Sequence, residues 1–138
     1  MGKIVIDDGR EEYEIVNKFG DIIGKFRMNP SDMGMIRRYN AFGDEISSMT
    51  EGVSEDMESE EILRKLESRL FVAFDDFFGS QVSHDIFGTT SPFSPMSNGE
   101  LYFETVITAI CSLIEQETGE RLKKVNAKVA KYAAKYNA

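Results

Sequence analysis

Between Lys3 and Met28 apolar and polar positions alternate. Ile4 and Ile6, Tyr13 and Ile15, and then Ile22, Phe26 and Met28 stand at a spacing of two, with polar residues between them. The runs Asp7-Asp8-Gly9-Arg10 and Asn17-Lys18-Phe19-Gly20-Asp21 supply turns. A period of two with such punctuation predicts a short antiparallel β meander over residues 1–28. Two strands alone are marginally stable in water, so one face of the meander needs a cover of helices.

From Asn29 the period changes to that of a helix. Pro30 suits a first helical position, where its missing N–H costs nothing, with Asn29 as the cap and Asp32 in the first turn, favoured by the helix dipole. Ile36, Tyr39, Phe42, Ile46 and Met49 then follow in steps of three and four and predict one apolar stripe, weakened by Gly34 and Gly43. An acid-rich linker near residues 50–58 breaks the pattern. A second helix is expected from about Ser59, with Ile62, Leu66, Leu70, Phe74 and Phe77 as its core stripe, Leu63 and Ala73 widening it, and Gly79 ending it.

After a loop over 79–98, Phe103, Val106, Ile107, Ile110 and Ile114 predict a third helix, starting near Asn98 and interrupted at Gly119. Leu122, Val125, Val129, Tyr132 and Tyr136 predict a last one. The expected fold is α+β and predominantly α-helical: one domain over 1–138, with the N-terminal β meander (1–28) packed on about four helices (29–138). A chain of 138 residues is long enough to bury a core without covalent staples.

Composition narrows the chemistry. Cys111 is the one cysteine, which excludes an internal disulfide framework and a cysteine-based zinc site. No apolar run approaches membrane-spanning length, no secretory signal is expected, and Ile6 stands where a myristoylation pattern needs Ser or Thr. The net charge is −8, but it is unevenly spread. Asp44, Glu45, Glu51, Glu55, Asp56, Glu58, Glu60 and Glu61 form a block without a base. Arg121, Lys123, Lys124, Lys128, Lys131 and Lys135 follow the last acid, Glu120. Lys124, Lys128, Lys131 and Lys135 lie at steps of four, three and four, away from Leu122, Val125 and Val129. A solvated amphipathic face explains them, as does contact with an acidic surface or with nucleic acid; the acidity of the whole chain disfavours nucleic acid.

The segment Phe77–Glu100 holds the only histidine, His84, beside Asp85 and near Ser80, Ser83, Ser91 and Ser94. No G-x-S-x-G marks out a nucleophile. Asp75 and Asp76 do not open an EF-hand pattern, and no phosphate-binding motif occurs. No catalytic, cofactor-binding or metal-binding residue is therefore assigned, and Asp75 and Asp76 are read as a solvated helix face. The segment reads instead as a structural joint, with Phe77, Ile86 and Phe87 buried, Phe93 anchoring it, Pro92 and Pro95 holding it extended, and His84 near the surface.

The layout carries a resemblance. A β-rich start leads into "FRMNPSDMGMIRRYNAFGDEI", an acidic break follows, and then come "LFVAFDDFFG", "DIFG" and a closing helical pair. In this order over most of its length the chain resembles the tail-assembly chaperones of long-tailed phages and prophages of Gram-positive bacteria. The resemblance implies a non-enzymatic, mostly helical protein of the host cytoplasm. It would bind the tape-measure protein and keep it soluble while tail-tube protein polymerises around it. It supplies no catalytic residue and does not account for the basic end of the chain. Ten Phe and seven Met suit adaptable apolar surfaces as well as a core. The candidate partner-binding residues are Lys124, Lys128, Lys131 and Lys135 with Tyr132 and Tyr136. The acidic and basic blocks also suit a homo-oligomer in which they pair between copies. Two other readings stand beside this one: a small DNA-associated protein acting through the basic helix, and an enzyme built on the His84 loop.

Overall fold

A computed structural model describes residues 1–51 and 59–137, with side chains for 1–49 and 59–130. The acidic linker near 50–58 thus lies almost wholly outside the described residues. The alternating segment forms one hairpin, β1 (Glu11–Val16) antiparallel to β2 (Ile22–Met28), with Tyr13 opposite Phe26 and an irregularity between Ile15 and Val16. At its turn the Asn17 side-chain oxygen accepts the N–H groups of Phe19 and Asp21, and Gly20 takes a positive φ of 87°.

The expected third strand is absent: residues 1–10 form neither helix nor strand, and Ile4, Val5 and Ile6 are exposed. The reason lies in the Asp7–Arg10 turn. The Asp7 and Asp8 carboxylates accept the N–H groups of Gly9 and Arg10, a local bonding that competes with a strand ladder, and the Gly9 carbonyl is taken by Arg121.

Helix α1 (Gly34–Glu51) begins four residues later than Pro30, because Asn29–Asp32 closes a turn of its own. There the Asp32 N–H reaches the Asn29 carbonyl, the Asn29 side chain accepts from Ser31, and the Asp32 carboxylate accepts the Gly34 N–H at 2.8 Å. Asp32, not Asn29, meets the start of the helix. The buried stripe is Met35, Phe42 and Met49 with Ile46 partly covered; Ile36 and Tyr39, read as part of the apolar stripe, are exposed.

Helix α2 (Glu60–Phe78) follows its sequence pattern closely. The Ser59 hydroxyl accepts the Ile62 N–H at 3.4 Å, and Gly79 closes the helix at a φ of 73°, with its N–H on the Asp75 carbonyl. Leu70 and Phe74 are fully buried, and Leu66, Ala73, Phe77 and Phe78 nearly so. Arg38 ties α1 to the end of α2 by donating to the Phe77 carbonyl at 2.9 Å, while Arg69 of α2 pairs with Glu45 of α1 at 2.7 Å.

The one-turn helix α3 (Ser83–Phe87) carries Ile86 and Phe87 into the core and rests on β2 so closely that a Cβ at Gly24 would run into the Asp85 carbonyl. Helix α4 (Tyr102–Asn137) starts after a turn at Ser97–Glu100, where Gly99 has a φ of 84°, so its first residue lies four beyond Asn98. It runs through Gly119 without a break, which merges the two expected helices into one of 36 residues. At 1.5 Å per residue it is about 54 Å long. Phe103, Val106 and Ile110 enter the core, whereas every residue from Leu122 to Ala130 is exposed. The fold is thus α+β and mostly helical; the described residues form a two-stranded hairpin, three long helices and one short one. Among the described residues no helix is long and apolar enough to cross a membrane.

Candidate protein-binding surface

The His84 loop is built as a joint. One oxygen of the Asp75 carboxylate accepts the N–H groups of Val82 and Ser83, each at 2.9 Å, and the other accepts the Ser83 hydroxyl at 3.2 Å. Asp75, expected on a solvated face, is therefore half-buried and holds the start of α3; Asp76 is exposed as expected. Phe87 meets Phe74 edge to face at 4.9 Å between centroids, and Phe93 does the same with Phe103 at 5.6 Å. His84 lies outside this packing, exposed and stacked on Phe71. Ser83 is spent on Asp75, and Ser91 accepts the Phe93 N–H. Among the described residues no group of three or more histidine, cysteine or acidic side chains could hold a metal ion.

A different region leaves apolar surface uncovered. A furrow of about 610 Å³ opens between the start of α1 and the middle of α4. Met33, Ile36 and Tyr39 form one wall, Ile114 and Leu122 the other, and Cys111 is part of the lining. A second hollow of about 420 Å³ continues it toward Ile46 and Phe103, sharing Tyr39 and Cys111. Burial, helped by Glu115, pushes the Cys111 thiol up, so it stays protonated and apolar at neutral pH. On the rim, partial burial opposes the charge of Asp32, but the Gly34 N–H and the Arg38 and Arg37 guanidinium groups outweigh it and hold its carboxyl below the usual range.

At the foot of the furrow α4 is clamped to the body. The Arg121 guanidinium donates to the Ser31 hydroxyl at 2.7 Å, to the Asn29 side chain at 2.8 Å and to the Gly9 carbonyl at 3.3 Å, with the Glu11 carboxylate at 3.6 Å. One turn earlier the Thr118 hydroxyl donates to the Pro30 carbonyl at 3.0 Å. Beyond this clamp α4 projects. Leu122, Val125 and Val129 keep 46%, 53% and 59% of their surface open, in line with the furrow. The larger hollow between α1 and α2, about 860 Å³, differs in being lined by Arg37, Arg38 and Arg69, of which Arg38 and Arg69 already pair with Asp32 and Glu45.

Of the expected partner-binding residues, Lys124 and Lys128 are exposed on this projecting part, together with Lys123. None of the three has a carboxylate within ion-pairing distance among the described residues. The side chains of Lys131, Tyr132, Lys135 and Tyr136 lie outside the described residues. In the acidic block, Glu45 of α1 is met by Arg69 of α2, and Glu60 and Glu61 are met by Arg64 and Lys65 one turn further along α2 itself; Glu51, Glu55, Asp56 and Glu58 lie outside the residues whose side chains are described. Leu122, Val125 and Val129, read as the apolar positions of the last helix, and Ile36 and Tyr39, read in the apolar stripe of the first, are exposed. The signal available was the narrowness of the stripe: one apolar residue every three or four positions, amid Lys, Ala and Asn. No known protein family, curated protein or solved structure matches the chain.

Proposed function

We propose that the chain is a non-enzymatic tail-assembly chaperone of a long-tailed phage or prophage, working in the host cytoplasm. It binds the tape-measure protein and keeps it soluble while tail-tube protein assembles around it. The resemblance in layout supports this reading, and one structural observation carries it: an apolar furrow between α1 and α4 that runs on into the exposed stripe Leu122, Val125 and Val129. A chaperone for a long helical chain needs such open apolar surface to cover its client's apolar stripe, and adaptable side chains such as Met33 suit a partner of repetitive sequence.

The test is co-expression with a phage tape-measure protein, taken from beside the gene if one is encoded there, followed by affinity capture. The long chain is expected to stay soluble and to be retained only when this protein is present. Its equal solubility alone would overturn the reading. A second reading has one observation in its favour, three exposed lysines, Lys123, Lys124 and Lys128, without an acidic partner among the described residues. If the chain were a DNA-associated protein, duplex DNA would shift with a steep dependence on salt.

A further inference from the structure

We propose that residues 3–6 add as a strand to the open edge of β1 in a second copy of this chain, so that two copies exchange arms. The proposal stands apart from the reading of the chain as a chaperone and does not depend on it.

Residues 3–6 read Lys-Ile-Val-Ile. Three β-branched side chains in a row favour a strand. Yet Ile4, Val5 and Ile6 keep 93%, 92% and 76% of their surface open, and among the described residues this arm makes no hydrogen bond and no ion pair. It carries unused backbone donors and acceptors together with apolar surface, which is what an added strand offers to a sheet. Its own sheet does not take it up. The Asp7 carboxylate accepts the Gly9 N–H at 2.8 Å, the Asn29 side chain donates to the Asp8 carbonyl at 3.4 Å, and Arg121 donates to the Gly9 carbonyl at 3.3 Å. Gly9 has a φ of 84°, with the Asn29 side chain against the place a Cβ would take. These bonds hold the bend between the arm and β1 in a shape in which the two do not pair. A short connection held in this way favours pairing with another copy over pairing within the chain.

The complementary half lies in the hairpin. Its sheet has two strands, so β1 is paired on one side only, while β2 carries α3 against Gly24. Among the described residues no backbone group of residues 11–16 bonds outside the hairpin. Tyr13 and Ile15 turn inward and are half-buried, whereas Glu12 and Glu14 are exposed on the outer face. Residues two apart share a face, so a strand with Ile4 and Ile6 beside Tyr13 and Ile15 sets Lys3 and Val5 beside Glu12 and Glu14, whichever way it runs. Charge selects the segment. Glu11, Glu12 and Glu14 line β1, so two β1 strands meeting each other would bring like charges together. Residues 1–6 contain no acid, and Lys3 has no acidic partner among the described residues. Glu12 and Glu14 meet Arg27 at 3.4 Å and Lys25 at 3.8 Å in exposed pairs that leave room for a further cation. Both halves of the contact belong to one chain, and exchange in both directions closes it into a two-fold dimer with neither β1 edge left open.

The experiment uses the full chain in sedimentation velocity. A dimer is expected at about 100 μM, giving way to monomer on dilution. Val5→Pro removes a backbone N–H from the arm, and the double variant Ile4→Lys, Ile6→Lys removes its apolar side chains. The arm is open to water in the single copy, so both are expected to leave the thermal melt of the dilute protein unchanged. Each is expected to weaken the dimer at least about tenfold, and Lys3→Glu to weaken it by less. Amide hydrogen exchange is expected to slow on concentration both in residues 4–6 and along β1, and to do neither in Val5→Pro. A monomer at about 100 μM overturns the proposal, as does a dimer that neither arm variant weakens. A dimer that the arm variants weaken, but whose slowed exchange falls around Ile36 and Ile114 and not on β1, would overturn it by seating the arm in the furrow.

Discussion

The two halves of α4 obey one sequence rule and meet opposite fates. From Phe103 to Ile114 the apolar residues recur at helical spacing and are drawn into the core, Phe103 to 2% exposure. From Leu122 to Val129 they recur at the same spacing and remain in water. What differs is the neighbourhood. The first half has Phe93, Phe42 and Ile46 within reach, whereas in the second Leu122 only lines the open furrow beside the start of α1, and Val125 and Val129 are exposed. Amphipathic periodicity marks a face that wants cover; it does not tell whether the cover lies in the same chain. Arg121 stands at the border and ties the middle of α4 to the body through Ser31, Asn29 and Gly9.

The largest effect that could break this contrast is truncation of the two kinds of apolar residue. Phe103→Ala is expected to cost about 3–5 kcal/mol, whereas Val125→Ala is expected to stay within about 0.5 kcal/mol. Urea unfolding of both variants measures this, and similar losses would place the far half in the core after all. Next in size is the border itself. Arg121→Ala is expected to cost about 1–2 kcal/mol, reduced from that of a fully buried charged hydrogen bond by partial exposure. Arg121→Lys should recover little of it in the same unfolding assay, since one ammonium cannot reach Ser31, Asn29 and Gly9 as a planar fork does.

A smaller effect, of opposite sign, tests the continuity of the rod. Gly119 has open space where a Cβ would stand and no positive φ, so Gly119→Ala is expected to raise stability by about 0.5–1 kcal/mol in a thermal melt. A loss would mean that the helix breaks there. The smallest effect is expected on the acid side of the pH–stability curve. The Asp32 carboxyl is lowered in the folded chain, so its contribution is complete above its unfolded value, near pH 4, and is lost as pH falls through the lower folded value. Asp32→Asn is expected to flatten that limb below about pH 4 in acid titration followed by circular dichroism.

Local chemistry was legible wherever the signal and the structure acted within a few residues. Ser59 and Gly79 bound α2 as their side-chain chemistry dictates, and its apolar stripe enters the core along its length. The loop around His84 folds as a joint because Ile86, Phe87 and Phe93 are its large apolar groups and the histidine is not one of them. The misreadings share one cause. Ile4 and Ile6 alternate like a strand, but whether a strand forms depends on a neighbour's edge, and Arg121, over a hundred residues away, takes the carbonyl of their turn. Asp75 looks like any acid on a helix surface until α3 returns to present Val82 and Ser83 to it.

Composition, helical period, caps and turns by themselves determined that this is a mostly helical α+β chain with a structural and not a charged centre, and that its last stretch is a basic amphipathic helix. Only the tertiary structure decided that Gly119 lies inside one continuous rod, that Ile36, Tyr39, Leu122, Val125 and Val129 face outward, and that Arg121 ties the rod to the body. The physical reason is that an apolar stripe and a cation specify what they would bind but not where it lies. Location is set by how the elements pack against one another, a property of the whole chain and of no single segment.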